Sequence, residues 1–563
     1  YSMRGASGQS HSNNTAVGHN SLYAITTGGN NTVLGYNAGD AITTGSNNVA
    51  IGLEALGLSA TMSNNVAIGT YAADALTAGT DCVFIGHYAG SSITNAGGGT
   101  LDGAIAIGRE AMLGSASTTN AVGAAIAIGQ DAMKSITTGA NNIAIGEAAL
   151  LNHTTGGANI AIGRNTMFDT DAGSTSLGSE HNIFLGYYAG GGVWADAASN
   201  YNVGIGNYSL DAALNGVLNN TALGHYTLSS LTEGDSNVAL GYNAGGSLTT
   251  GSANILIGRN AGSSGTDLAY SVIIGTYAGD AINTNNSQGS VIIGYQAGTS
   301  QTAGINTFIG YESGRYNVSG GSNTAIGYES MLGASSNSFS NNTAVGHQSL
   351  KAVTTGNNNV AIGTSSLSTA TTALNNVFIG RSTGEDIAAS VALNGVVAIG
   401  WEAFKGSGST TTGANGTISI GYESLKALTT GSGNVAIGYG TLKGHTTGHR
   451  NIAIGYEALT ATTGDVDDAP DADDNIAIGY QSMGGNWNDA AKSESNIAIG
   501  SYTMDAVMNA ANNNVAVGTA SLGSLTEGDG NVSIGSTALA SLTTASNVIA
   551  LGQNAGYSNT TTG

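Results

Sequence analysis

The sequence predicts an all-β protein, a repetitive parallel β-solenoid or β-roll of about thirty coils, mostly with 17 residues per repeat. Three observations lead to this prediction. A motif of the type Asn-Asn-Val-Ala-Ile-Gly, as at 47–52, occurs in thirty versions along the chain. Its closing residue, called the marker glycine below, recurs at a spacing of 17, as at Gly35, Gly52 and Gly69. The first and third residues before it are β-branched or aliphatic in every copy.

Each motif is expected to contain one short strand. The third residue before every marker glycine is Val, Ile or Thr, and the residue directly before it is Ile, Leu or Val. Alternate strand residues point to the same face, so Val49 and Ile51 are expected to fill the inside of the coil. Ala50 between them would then face outward and require a partner surface, because the strand is apolar on both faces. Segments such as 41–45 are expected to form a second short strand and a turn.

The positions around each strand are expected to be structural. Asn directly precedes the strand in 22 of the thirty copies, for example at Asn48 and Asn159, which predicts a ladder of stacked side-chain amides. The marker glycine allows a positive φ or a close backbone approach at a corner. The third residue after it is always Ala, Ser or Thr, which indicates a crowded site.

The spacing also predicts the organisation of the chain. Residues 1–10 are expected to form a lead-in, and residues 11–563 one continuous solenoid array. Coils stacked at the spacing of β-strands would give a rod on the order of 140 Å long. Intervals longer than 17 residues indicate loop insertions near 91–103, 113–124, 168–181, 461–474 and 484–495.

Composition excludes some classes of partner. Lys and Arg number 13 against 35 Asp and Glu, a net charge of -22, so nucleic acid is not an expected partner. No apolar run approaches the length of a membrane-spanning helix, so membrane insertion is not expected. The single cysteine, Cys82, excludes an intrachain disulfide and is expected to act as a small buried apolar residue.

An enzyme is not expected, because the nine histidines are scattered along the chain and no catalytic or phosphate-binding motif accompanies them. No cofactor is expected, with calcium as the possible exception. The acidic segment 465–474 is either a solvated surface loop or a calcium site, since Ca²⁺ prefers carboxylate oxygens. The candidate ligands are Asp465, Asp467, Asp468, Asp471, Asp473 and Asp474.

Tyrosines are expected to form rows along the array, because 17 of the 23 lie one or two residues after a marker glycine. Such rows could stack on one another in neighbouring coils, or bind a glycan or another surface. Threonine pairs such as Thr26-Thr27 raise an ice-binding surface as a further class, although adjacent strand residues point to opposite faces. The candidate glycan-binding residues are Tyr422, Tyr439, Tyr456 and Tyr480.

The run from Asn341 to Ser349, Asn-Asn-Thr-Ala-Val-Gly-His-Gln-Ser, resembles the head repeat of trimeric autotransporter adhesins and is similar to repeats in some bacteriophage tail fibres. The resemblance implies a left-handed parallel β-roll, three chains side by side and a role in surface attachment. We therefore expect a non-enzymatic extracellular fibre on a cell surface or virion, a homotrimer that contacts a cell-surface glycan or receptor. The alternative is a self-assembling filament subunit stacking end to end, since neither end of the sequence has an obvious cap.

Overall fold

A computed structural model describes the chain except for a set of short segments. The segments outside the described residues are 1, 5–8, 95–100, 115–121, 171–177, 195–196, 284–286, 336, 390, 407–412, 461–471, 486, 488–491 and 561–563. The described residues contain thirty β-strands and no α-helix. They group into two compact units, unit 1 (Tyr1–Gln288) and unit 2 (Gly289–Gly563).

Each unit contains fifteen strands, nearly all of three residues, and every strand ends directly before a marker glycine. Unit 1 contains β1 (Thr15–Val17), β2 (Thr32–Leu34), β3 (Val49–Ile51), β4 (Val66–Ile68), β5 (Val83–Ile85), β6 (Ile105–Ile107), β7 (Ile126–Ile128), β8 (Ile143–Ile145), β9 (Ile160–Ile162), β10 (Ile183–Leu185), β11 (Val203–Ile205), β12 (Thr221–Leu223), β13 (Val238–Leu240), β14 (Ile255–Ile257) and β15 (Val272–Ile274). Unit 2 contains β16 (Val291–Ile293), β17 (Asn306–Ile309), β18 (Asn323–Ile326), β19 (Thr343–Val345), β20 (Val360–Ile362), β21 (Val377–Ile379), β22 (Val397–Ile399), β23 (Ile418–Ile420), β24 (Val435–Ile437), β25 (Ile452–Ile454), β26 (Ile476–Ile478), β27 (Ile497–Ile499), β28 (Val515–Val517), β29 (Val532–Ile534) and β30 (Ile549–Leu551).

Within each unit, every strand pairs in parallel with the next strand along the chain, so consecutive coils stack. The register aligns equivalent positions of the motif, as where Val49 pairs with Val66 and Ile51 with Ile68. It is kept across longer intervals too, since Ile452 pairs with Ile476. The predicted all-β parallel solenoid of about thirty coils is therefore confirmed, and the extra residues of long intervals leave the strand ladder intact.

The rest of each coil consists mainly of turns and bends, with five isolated parallel β-bridges among the described residues. Residues 41–45, expected to form a second short strand, contain none, so that prediction is wrong. Two residues of the same coil, Asn37 and Gly39, have φ of +52° and +53°, so the chain turns after the strand and does not run on in an extended conformation. The turns are nevertheless bonded between coils, as where the Thr43 backbone N–H donates to the Ala60 carbonyl at 2.8 Å.

The marker glycines lie at a corner where neighbouring coils approach closely. Gly346 has φ +135°, and a Cβ built on it would lie 2.6 Å from the carbonyl oxygen of Gly363 in the next coil. Any side chain at this position would therefore overlap the backbone of its neighbour. The spacing of 17 residues thus reflects a direct backbone contact that each coil makes with the next.

The asparagines that precede the strands form the expected ladder. The Oδ1 atom of Asn359 accepts bonds from the backbone N–H and the Nδ2 of Asn376, at 3.2 and 3.0 Å. Its own Nδ2 donates to the Ala373 carbonyl at 2.7 Å. Each buried amide therefore satisfies backbone groups of the next coil that would otherwise lack partners. The ladder is interrupted where the position holds Cys82, Ala104, Ala125, Ser271, Ser290, Val396, Thr417 or Val548.

The strand faces are the reverse of the expectation. Ala50, the central residue of β3, is completely buried, whereas Val49 and Ile51 on either side are only partly buried. The same pattern, a buried centre between partly or fully exposed neighbours, holds for β2 and nearly every later strand. Ala50 therefore faces the interior, which is narrow at this level, and Val49 and Ile51 form the outer face.

A second interior position explains why the centre of the strand is usually small. In eight coils the central residue is large, and in each of them the fourth residue after the marker glycine is Gly. A Cβ at Gly90, for example, would lie 2.3 Å from the ring of Phe84. Where the centre is Ala344, the fourth residue is Leu350, and both are completely buried. In most coils one of the two positions is therefore large and the other small, while both are small in three coils, at Ala67 with Ala73, Ala239 with Gly245 and Ala550 with Gly556. The eight pairs are Val33 with Gly39, Phe84 with Gly90, Phe184 with Gly190, Leu256 with Gly262, Ile273 with Gly279, Ile292 with Gly298, Phe308 with Gly314 and Phe378 with Gly384.

Candidate interaction surface

The outer face of the sheet carries an aliphatic residue directly before the marker glycine in every coil, and two positions earlier it carries Val or Ile in all but six coils, which have Thr. It consists of the first and third of the three residues before each marker glycine, and we call it the outer face below. Leu240 is 42% exposed and Ile362 is 37% exposed. Parallel pairing places like beside like, as with Leu240 and Ile257. Each unit therefore carries a continuous apolar strip along its sheet, which in a soluble protein is the mark of an interaction surface.

A second column, called the stripe column below, is formed by the residue directly after each marker glycine. In unit 2 it contains Tyr422, Tyr439, Tyr456 and Tyr480, whose ring centroids follow one another at 5.0, 4.9 and 5.2 Å with nearly parallel planes. The expected tyrosine row is thus present, and the rings cover one another's faces. Their role in glycan binding stays a prediction, with the ring edges and hydroxyl groups left for contact.

A second stack in unit 2 adds a polar partner to each ring. Tyr311 stacks on Tyr328 at 5.1 Å, and Tyr328 stacks on His347 at the same distance. A hydrogen bond with Glu329 and partial burial raise the pKa of the Tyr328 hydroxyl. Partial burial and the Glu312 carboxylate act in the same way on the pKa of Tyr311. The tyrosine row therefore lies beside a column of carboxylates, which belong to the second residue after the marker glycine, as at Glu312 and Glu329.

Those carboxylates belong to an ion-pair ladder between coils. Lys426 bonds Glu402 at 2.5 Å and Glu423 at 2.6 Å, and Lys443 bonds Glu423 at 2.5 Å. Hydrogen bonds from Lys426 and Lys443 lower the pKa of Glu423. Neighbouring coils thus share cations, and this part of the surface is electrically balanced.

The proposed calcium loop lies mostly outside the described residues, which exclude Asp465, Asp467, Asp468 and Asp471. The other two candidates are engaged by the protein. Asp473 Oδ1 accepts the His449 backbone N–H at 2.7 Å, and both oxygens of Asp474 accept bonds from Arg450 at 2.6 and 2.8 Å. No group of three metal-ligating side chains occurs among the described residues. The calcium site therefore stays a prediction.

Unit 1 contains an acidic cleft that the sequence analysis did not predict. It is lined by Asp40, Glu54 and Asp74, which belong to three successive coils. Burial raises the pKa of both Asp40 and Asp74; backbone hydrogen bonds partly offset this, and the charge of Glu54 adds to it. Residues this far apart in sequence converge only because the coils stack, so no local motif signals the cleft.

Comparison with known proteins assigns the chain to no family. No model of a protein family matches the chain, and no curated protein matches it. Across the ranges that the structure describes, no helix has the length and apolar character needed to cross a bilayer. Function is therefore argued from the surface of the coils.

Proposed function

We propose that this chain is part of a non-enzymatic extracellular fibre in which copies of the chain pack side by side through the outer face. The fibre projects from a cell surface or virion and takes part in attachment. A homotrimer is the assembly implied by the resemblance to the head repeats of trimeric autotransporter adhesins and to some phage tail fibres.

The observation that carries the proposal is the exposure of an aliphatic strip in coil after coil. Leu34 is 48% exposed, Ile68 36% and Ile437 37%, on a chain that has only 9% charged residues. The largest apolar patch on an ordinary monomer covers on the order of 300–600 Å². A strip along fifteen stacked coils exceeds that, so the face is suited to permanent burial against another surface.

A second copy of the chain is the partner that fits best. The side chains of the outer face repeat at the spacing of the coils, and another copy repeats at the same spacing along its whole length. Rotational symmetry would place identical faces together, which is the usual arrangement in homo-oligomers. The small size of the coil interior adds to this argument, because a thin coil buries few large side chains of its own.

The test replaces three residues of the outer face, Leu34, Ile51 and Ile68, by Lys in one variant. The matched control replaces three exposed turn residues of the neighbouring coils by Lys, namely Thr27, Thr44 and Thr61. Analytical ultracentrifugation measures the mass of the native protein and of both variants, and circular dichroism checks that each is folded.

We expect the native protein and the Thr control to sediment as one oligomer, and the outer-face variant to dissociate into folded monomers. A monomeric native protein at micromolar concentration would refute lateral packing. Equal loss of association in both variants would show that another surface holds the copies together.

The alternative function, a filament subunit that stacks end to end, makes a different prediction. Electron microscopy of the native protein would show fibrils of indefinite length, and the outer-face variant would still polymerise. Discrete particles of one length, lost on substitution of the outer face, support the side-by-side fibre.

A further inference from the structure

In the described part of unit 2, all but one of the Lys and Arg side chains are paired with a carboxylate. Among its described residues, every Lys and Arg other than Arg381 has a carboxylate oxygen within 4.0 Å. Arg381 is exposed, and its guanidinium lies 5.3 Å from the centre of the Trp401 ring. On a chain with a net charge of -22, this exposed guanidinium with no carboxylate within 4.0 Å among the described residues is available to bind an external anion.

The stripe column itself carries no negative charge in unit 2, although Glu402 lies beside it in the coil of Trp401. Arg381 and Trp401 occupy successive positions of the stripe column, and no Asp or Glu occurs in that column in unit 2. Trp401 is 47% exposed and lies nearly perpendicular to Tyr422, at 87°, so the parallel stack ends there. The column in chain order is Tyr295, Tyr311, Tyr328, His347, Thr364, Arg381, Trp401, Tyr422, Tyr439, Tyr456, Tyr480, Ser501, Thr519, Ser536 and Gln553.

Unit 1 contains the same arrangement independently. Arg259 also lies in the stripe column, with its guanidinium 5.9 Å from the Tyr242 ring and 5.5 Å from the Tyr277 ring. No carboxylate of the described residues approaches it within 4.0 Å, whereas Arg109 and Arg164 in the same column are paired with Asp131 and Glu147. Within the stripe column, the combination of an uncompensated Arg with neighbouring aromatic rings therefore occurs once in each unit, whereas Arg4 beside Tyr23 lies outside the column.

The chemistry of this column favours a sugar chain with occasional carboxylates. Guanidinium groups bind carboxylates through two parallel hydrogen bonds. Aromatic rings with polar tips contact the mixed apolar and hydroxyl surfaces of sugars. Nucleic acid requires closely spaced cations, whereas the stripe column of unit 2 has one Arg in fifteen coils. A densely charged polyanion would also be repelled by the acidic chain.

We propose that the stripe column binds a sparsely charged acidic polysaccharide lying along the coil axis, with Arg381 and Arg259 each holding a carboxylate beside aromatic rings. This inference builds on the attachment role proposed above and names the partner class. It does not depend on the outer face, so the two proposals can fail separately.

The experiment measures binding of the full chain to hyaluronan oligosaccharides by isothermal titration calorimetry. The comparison ligands are the same oligosaccharides with their carboxyl groups reduced to alcohols, and single-stranded oligothymidylate. The variants are Arg259→Gln with Arg381→Gln, Trp401→Leu, and the control Arg450→Gln, which removes an exposed, paired Arg outside the stripe column.

We expect the double Arg variant and carboxyl reduction each to weaken binding by roughly tenfold or more, since each removes charge-assisted hydrogen bonds. Arg450→Gln should change affinity less than twofold, and Trp401→Leu should weaken binding by an amount between these two values. No binding of the native chain, equal binding of the reduced ligand, or tighter binding of oligothymidylate would each overturn the inference.

Ultracentrifugation of the same samples separates this result from the proposed assembly. The double Arg variant should keep the native oligomeric state, and the outer-face variant should keep carbohydrate binding at each chain. Loss of binding only on dissociation would overturn the assignment to the stripe column of a single chain.

Discussion

The inward side of each strand is buried by the chain itself, whereas the outward side is left partly exposed. Ala361, at the centre of β20, is completely buried, and Asn359 just before the strand exchanges hydrogen bonds with both neighbouring coils. Ile362, the next residue along, is 37% exposed. The inner side is closed by contacts within one chain, whereas the outer side presents apolar surface that one chain leaves uncovered. Substitutions on the two sides should therefore affect different properties, folding on the inside and association on the outside.

The largest effect on the inner side is expected at a marker glycine. Gly346→Ala places a Cβ 2.6 Å from the Gly363 carbonyl oxygen at a φ of +135°, which should cost at least about 3 kcal/mol of local stability. Hydrogen-exchange mass spectrometry of the peptides around β19 and β20 measures this cost. Gly416→Ala is the control, since its φ is also positive, at +66°, but no atom lies within 4 Å. Equal effects of the two substitutions would contradict the role given to the coil contact.

The paired interior positions predict a rescue. Ala344→Phe alone should destabilise the coil by about 3 kcal/mol through overpacking, and Leu350→Gly alone should leave a cavity that costs about 2–4 kcal/mol. The double variant recreates the combination found at Phe308 and Gly314 and should recover most of the loss, a strong non-additivity. Thermal unfolding of the four proteins gives the coupling. Additive losses would refute shared packing of the two positions.

A smaller effect is expected in the asparagine ladder. Asn359→Ala leaves the Asn376 backbone N–H and the Ala373 carbonyl without their side-chain partners, at a cost of about 1–3 kcal/mol. Asn358→Gly is the control, because Asn358 has a positive φ and an exposed side-chain bond to Asn375. Hydrogen exchange at β20 and β21 should rise strongly for the first substitution and little for the second. A larger effect of Asn358→Gly than of Asn359→Ala would show that the exposed amides, and not the buried ones, stabilise the ladder.

The smallest expected effect is the change of stability with pH that Asp211 contributes. Burial raises the pKa of the Asp211 carboxyl to about 6, partly offset by a hydrogen bond from its own backbone. Because the folded pKa lies above the unfolded value of 3.8, this group makes the protein less stable as pH rises from about 4 to 6, with no further change above. Asp211→Asn should raise the unfolding temperature at pH 8 and leave it nearly unchanged at pH 3.5.

Glu423→Gln provides the opposite case, because hydrogen bonds from Lys426 and Lys443 lower the pKa of Glu423. Its stabilisation is present above the unfolded pKa and is lost as pH falls through the folded pKa, so the substitution should lower the unfolding temperature at pH 7 and not at pH 3. Shifts of the same sign for Asp211→Asn and Glu423→Gln at neutral pH would contradict this assignment.

The sequence predicts the positions of the strands and the asparagine ladder well, because both follow from one repeated motif. It leads to the wrong faces because a period of two shows which residues share a side, not which side is inside. The information was present in the chain: the two positions vary inversely in size, as in Phe84 with Gly90 and Ala50 with Leu56, which is expected of two positions that share interior space. The acidic cleft and the contact of Arg381 with Trp401 depend on stacking between coils, so no local motif reveals them.

The size pairing also bears on how such a chain can change by recombination. The two paired positions lie six residues apart in one coil, as with Phe378 and Gly384, and a Cβ at that glycine would meet its own coil's phenylalanine. Duplication or exchange of whole 17-residue blocks keeps each pair together and preserves the register of the strands. A crossover between the two positions could join Phe with Leu, an overpacked combination, whereas Ala with Gly is tolerated at Ala239 and Gly245. Such chains can therefore lengthen or shorten by complete coils, while crossovers that join two large residues inside this six-residue window are selected against.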